Sequence, residues 1–112
     1  MERIMFFRST ILQLMNEYAD SLALGADGIK IEQVVDQEHD RYQILAIGWE
    51  GRQRIFNLLF HIEIIGDKIW VQEDKMEDSV AEMLVAKGIS KKDIVLAYFP
   101  DFHRQFTEYA VA

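Results

Sequence analysis

Residues 52–65 constrain the fold more than any other part of this chain. The even positions Phe56, Leu58, Phe60, Ile62 and Ile64 are uniformly apolar. An alternation of period two over that length is a β-strand with one face in a core. Gly66-Asp67 follows, and then a shorter run, 68–73, that carries Trp70. A two-residue connection with Gly first suits a primed hairpin turn. Upstream, Glu50-Gly51, a two-residue connection with Gly in second place, separates 52–65 from another alternating run, 42–49. Residues 29–36, with Ile29, Ile31, Val34 and Val35, add a β-branched segment that reads as a further strand. The expectation is a four-stranded antiparallel meander.

Helical periodicity flanks these strands. Over 2–22, Ile4, Phe7, Ile11, Leu14, Met15, Tyr18 and Leu22 form one apolar stripe, and Gly25 and Gly28 end the pattern. Asp74-Lys75-Met76-Glu77 reads as a second helix start, with Asp74 accepting from free amides and Glu77 in the positive first turn. Val80, Ala81, Leu84 and Val85 give that helix its buried side, and Gly88 its C-terminal cap. Ser90–Asp93 caps a short helix or forms one turn before a strand at Ile94–Tyr98, and so short a run does not decide between them. Phe102, Phe106 and Tyr109 are spaced as on one helical face, so the C-terminal end is expected to pack, on its own domain or across a dimer axis. The fold class is α+β in one domain, 1–112: N-terminal helix, four-stranded meander, second helix and a short C-terminal segment.

Composition narrows the function classes. The 112 residues contain 19 acidic and 12 basic side chains, a net charge of −7, and no cysteine. Disulfides and thiolate metal sites are excluded, and no apolar run approaches the ~20 residues of a membrane span. With no signal-like start, a cytoplasmic location is expected. A duplex-binding protein draws most of its affinity from neutralised phosphates, so this balance argues against autonomous DNA binding.

Two constellations are candidates for function. The odd face of 52–65 presents Ile55, Asn57, Leu59, His61, Glu63 and Ile65. His61 and Glu63, two apart, point the same way and offer the start of a metal or acid–base site. Such a site needs a third converging group, and His39 and Asp40 lie in a loop of unfixed position. A polar cross-strand pair is the commoner outcome for these residue types. Ile55, Leu59 and Ile65 make the same face half apolar, which marks a covered surface. Its cover would be one of the chain's own helices, a second copy or a different protein, and an interaction surface is favoured over a pocket. The second constellation is Arg41, Arg52 and Arg54 beside Trp49, a weak candidate for nucleic-acid contact. Glu32, Asp36, Glu38 and Glu50 compete for those guanidinium groups. There is no glycine-rich phosphate loop and no Ser or Cys nucleophile with a base, so no catalytic, metal or cofactor residue is assigned.

Several of these stretches also carry a family likeness: Arg41-Tyr42-Gln43, Gly48-Trp49, His61 through Gln72, and Asp93-Ile94-Val95-Leu96. So does the ending, in Arg104, Phe106, Thr107, Glu108, Ala110, Val111 and Ala112. From about residue 4 to the last, the chain resembles the XisI family, small cyanobacterial proteins named as controlling factors for excision of the fdxN element. The resemblance implies a non-enzymatic control factor in programmed DNA excision. It implies an XisH-like, nuclease-type protein as partner, with DNA contact left to others. A homodimer or higher homo-oligomer is also expected. The chain departs from the family pattern at Met76 (for Thr), at Gly66-Asp67 (for Asp-Gly), at Ser90 (for Pro) and at Ala97 (for Gly), all at turns and caps.

Overall fold

The computed structural model describes residues 2–23 and 28–112, with the side chains of 21–23 set aside. Helix α1, Glu2–Ala23, lays Phe7, Ile11, Leu14 and Met15 into the core, with Ile4 and Tyr18 partly buried at its margins. The expected cap at Gly25 and the side chain of Leu22 lie outside the described residues. The strands are β1 (Ile29–Asp36), β2 (Arg41–Glu50), β3 (Gln53–Ile65), β4 (Lys68–Asp74) and β5 (Ile94–Leu96). They form one sheet in the order β1-β2-β3-β4-β5. The first four pair antiparallel, as a meander should, and β5 joins parallel to β4.

The sheet is therefore five-stranded and mixed, where four antiparallel strands were expected. The fifth strand is the alternative left open at Ile94–Tyr98: one helical turn, Lys91–Asp93, precedes a strand of only three residues, too short for periodicity to have decided. Helix α2, Val80–Ala86, makes the return crossover that a parallel neighbour requires. It starts later than expected. Ser79 is the N-cap, its Oγ accepting from the Glu82 amide at 3.3 Å. Asp74 accepts from the amides of Met76 (3.0 Å) and Val80 (2.9 Å), pinning the turn that leads into α2. Val80, Ala81 and Leu84 are buried as expected, and the chain leaves α2 through Gly88 at φ +106°.

The core lies between α1 and α2 and one face of the sheet, where Tyr42, Ile44, Phe60, Ile62, Ile69, Val71, Ile94 and Leu96 meet the helix residues. We call this the inner face. In β2 the even positions Tyr42, Ile44 and Ala46 are buried and the odd positions turn to the outer face.

Strand β3 does not keep one parity along its length. Ile44 pairs with Phe60 but Leu45 pairs with Leu58, so Leu59 is an extra residue in a β-bulge. One extra residue exchanges the two faces for everything beyond it. On the α2 side of the bulge, Phe60, Ile62 and Ile64 are inward as the alternation predicts. On the far side, Phe56 pairs with Ile47 and Leu58 with Leu45, so both look outward, and Phe56 is 63% exposed. The expectation that all five even positions face the core is corrected for these two.

The C-terminal segment covers the outer face over β4 and β5. Helix α3, Asp101–Arg104, is a single turn, not the longer helix that the spacing of Phe102, Phe106 and Tyr109 suggested. Ala110 bridges to Val95, its amide donating to the Ile94 carbonyl at 2.9 Å, and Val95 is wholly buried. Tyr109 packs partly against the core, whereas Phe102 and Phe106 stay exposed, at 72% and 79%.

Candidate functional site

The structure brings together His61 and Glu63 and separates them from some of their expected neighbours. Both lie on the outer face of β3, next to Gln43 and Arg41 of β2. The His61 Nε2 hydrogen is donated to Glu63 Oε2 at 2.7 Å, and Nδ1 accepts from Gln43 Nε2 at 2.9 Å. Arg41 Nε lies 3.5 Å from the same Glu63 oxygen, and its guanidinium also donates to the His39 carbonyl at 2.7 Å. The imidazole and the carboxylate are about one-sixth exposed, at 15% and 17%. Both imidazole nitrogens are thus committed within the network, and the carboxylate has a cation beside it. A metal ligand would need one of those nitrogens free as a lone pair. Among the described residues, no three His, Cys, Asp or Glu side chains converge on a point that would hold a metal. What the four residues build is a closed polar ladder across two strands, a cross-strand arrangement that fixes register.

Of the five residues read as one partner-facing surface, His61, Glu63 and Ile65 share the outer face. Ile65 sits exposed at the hairpin turn. Ile55 and Leu59 do not share it. Leu59, the bulge residue, packs partly against the core, and Ile55 pairs with Gly48 on the inner side. The bulge is the physical reason in both cases. It supplies replacements, because Phe56 and Leu58 come outward beside Trp49, Ile47 and Leu45. Alternation alone cannot show a parity exchange. The adjacent Leu58-Leu59 pair is the only sequence feature at the spot.

The arginine grouping is likewise dismantled. Arg54 pairs with Trp49 at one end of the β2–β3 hairpin and its guanidinium sits 5.4 Å from the indole centroid. Arg41 pairs with Glu63 at the other end, eight residues and so about 26 Å away along the strand. Arg52 lies in the turn, exposed. Three cations so spread do not make a continuous phosphate track.

One network escaped the sequence reading. Asp40, in the β1–β2 turn, accepts from Arg8 at both carboxylate oxygens (2.7 and 2.9 Å) and from the Tyr42 hydroxyl at 2.9 Å. The Arg8 hydrogen bonds hold the Asp40 carboxyl below the usual carboxylate range, against the opposing effect of burial. Burial, reinforced by Asp40, pushes the Tyr42 hydroxyl up to about 12. Asp40 adopts φ +55°, a left-handed conformation that Asp tolerates better than most residues. The unfixed loop is thus a rigid corner tying α1 to the sheet. Its neighbour His39 points elsewhere, Nδ1 lying 2.8 Å from Asp36.

The comparisons with known proteins agree from end to end. The family model described as XisI protein matches residues 1–111. The chain belongs to the XisI family. A solved XisI-like protein from Anabaena variabilis ATCC 29413 is 31% identical, with a TM-score of 0.88, over 96% of this chain and 98% of that one. The fdxN element excision controlling factor XisI from the same strain is 27% identical, with a TM-score of 0.83, over 98% and 99%. No protein with a curated description matches.

The ending that suggested XisI turns out to be architectural. Arg104 lies over the Trp70 ring at 5.4 Å and donates to the carbonyls of Phe99 (2.8 Å) and Ala97 (3.3 Å). Thr107 Oγ1 donates to the Arg104 carbonyl and accepts from the Tyr109 amide, closing the last turn. Glu108 pairs with Lys91 at 2.8 Å, and Ala110 completes the bridge beside β5. The XisI ending is a clasp over the outer face of β4 and β5. Two departures from the pattern are accommodated in place. Ser90 caps the one-turn helix Lys91–Asp93 through the Lys92 amide at 3.2 Å, and Ala97 offers its carbonyl to Arg104. No helix of the described residues is long and apolar enough to cross a membrane.

Proposed function

We propose that this chain is a control factor of XisI type, acting without catalysis in the excision of a DNA element by binding an XisH-like, nuclease-type protein. The end-to-end likeness to an excision controlling factor carries this reading. The closed His61–Glu63 ladder supports the non-catalytic part, since its groups hold one another and none is poised toward an open site. The charge supports the division of labour. At −7 the chain is suited to meet a basic protein surface, and electrostatic complementarity of that kind speeds encounter and selects the partner. Its arginines are too dispersed to follow a phosphate backbone.

The test is co-expression of the chain with the XisH-like protein of its own genome, followed by size-exclusion chromatography with light scattering. A co-eluting complex of fixed stoichiometry, weakened as salt is raised from 50 to about 500 mM, is the expected result. Separate elution at low salt would overturn the partner assignment. Tight binding of duplex DNA by the isolated chain would overturn the division of labour.

A further inference from the structure

The outer face of the sheet is covered unevenly. Over β4 and β5 it lies under the C-terminal clasp, and Val95 is sealed. Over β1, β2 and β3, Val34, Trp49 and Phe56 are exposed and Leu45, Ile47 and Leu58 only half-buried. The register arranges this bare part in two adjacent cross-strand rows, Lys30–Ile47–Phe56 and Glu32–Leu45–Leu58. Each row has one charge on β1 followed by two apolar residues; the charges are opposite and pair with each other within the chain at 3.0 Å, a pairing that the second copy would double. Beyond the first row, toward the hairpin tip, stand Trp49 and Arg54, with Arg52 in the turn. Beyond the second stand Gln43 and His61, then Asp36, Arg41 and Glu63, with Glu73 on β4 opposite His61.

We propose that this face is the contact between two copies of the chain, related by a two-fold axis that lies in the face and crosses the strands between the two rows. Such an axis reverses strand direction and exchanges the rows. Ile47 and Phe56 of one copy then lie on Leu45 and Leu58 of the other, and Lys30 lies on Glu32. The cationic hairpin tip of each copy falls on the more acidic end of the other. Every contact is made twice, as an isologous interface requires. The face supplies its own complement in polarity and sign, which is why a second copy is its occupant and not a foreign protein.

The size also fits. Strands β1, β2 and β3 have 8, 10 and 13 residues; taking the ten of β2 at about 3.3 Å each and three strands about 4.8 Å apart gives a flat footprint of roughly 33 by 14 Å. That is roughly 460 Å² before side-chain relief, the size of a small interface, which suits a dimer that dissociates on dilution. Two such faces pack at the ~10 Å separation of stacked sheets. The β3 bulge makes the face possible, since an unbroken alternation would bury Phe56 and Leu58 inside each copy. The inference is independent of the XisH-like partner, because it concerns the chain alone.

The experiment is light scattering and sedimentation velocity on the isolated chain from 1 to 200 μM. The expected mass is twice the 13.1 kDa of one chain. Phe56→Lys, which places a charge against the apolar Leu58 of the other copy, should weaken the dimer at least tenfold with an unchanged far-ultraviolet spectrum. Lys30→Glu should weaken it too, and Lys30→Glu with Glu32→Lys should restore it. A monomer throughout the concentration range would overturn the proposal. So would a dimer indifferent to Phe56→Lys but broken by Phe106→Lys, which would move the contact to the C-terminal segment.

Discussion

The carboxylate of Asp40 joins three elements. It receives Arg8 from α1 and Tyr42 from β2, while its own carbonyl accepts from the Ile64 amide of β3 at 3.0 Å. Tyr42 is wholly buried, so loss of Asp40 leaves its hydroxyl without a partner. Asp40→Ala is predicted to cost about 1–3 kcal/mol in urea unfolding, the range for an orphaned buried donor. The pH dependence has a definite sign. The folded-state carboxyl is held below its ordinary value by Arg8. Its contribution is therefore complete above the unfolded value near ~4 and is lost as pH falls through the depressed one. The stability gap between wild type and Asp40→Asn should be constant from pH 7 to 5 and close in acid. A gap that widened in acid would contradict the assignment. Asp40 was read in the sequence only as part of an unplaced loop. Its role depends on Arg8, 32 residues away, and no local pattern reports so distant a partner.

At the scale of the elements, the C-terminal clasp depends on Arg104. Its guanidinium meets Trp70 and three backbone carbonyls, of Phe99, Ala97 and Val111, and the bridge at Ala110 lies six residues further on. Arg104→Ala should leave the helices and β1–β3 intact while releasing the end of the chain. Hydrogen exchange would show it as faster exchange at the Ala110 amide, with the Phe60 and Ile62 amides unchanged. Uniform acceleration would mean instead that the clasp and the core unfold as one unit. Long elements were legible in the sequence. The α1 stripe from Ile4 to Tyr18, the four meander strands and the Gly66-Asp67 turn stand where periodicity and turn chemistry put them, whereas the other turn is Gly51-Arg52, one residue later than the expected Glu50-Gly51, because Glu50 still pairs with Gln53. Short or irregular features were not: β5 spans three residues, α3 four, and the helix start at Ser79 was displaced by Asp74, an equally good acceptor that pins the turn before it. The bulge was the costliest omission for the site, because it moved Ile55 and Leu59 off the surface assigned to them and put Phe56 and Leu58 there. A bulge inserts a residue without changing the type of its neighbours, and Leu-Leu reads equally well in either phase.

For the whole molecule, the consequence is a protein with two unlike halves to its outer sheet face. One half is closed by the chain's own ending, and the other is left bare beside a self-satisfied polar ladder. On the two proposals made above, this small acidic domain is held by its own copy through β1–β3 and by an XisH-like partner elsewhere. The self-association requires that the bulge turn Phe56 outward while Phe60, four residues on and of the same parity, stays in the core. The most direct measurement is the pair of urea unfolding free energies for Phe56→Ala and Phe60→Ala, taken at submicromolar chain concentration so that association contributes little. Phe60→Ala should lose about 3–5 kcal/mol, as a fully buried aromatic does, and Phe56→Ala less than about 1 kcal/mol. Equal, large losses at the two positions would mean that the alternation runs unbroken through β3 and that the bare face does not exist.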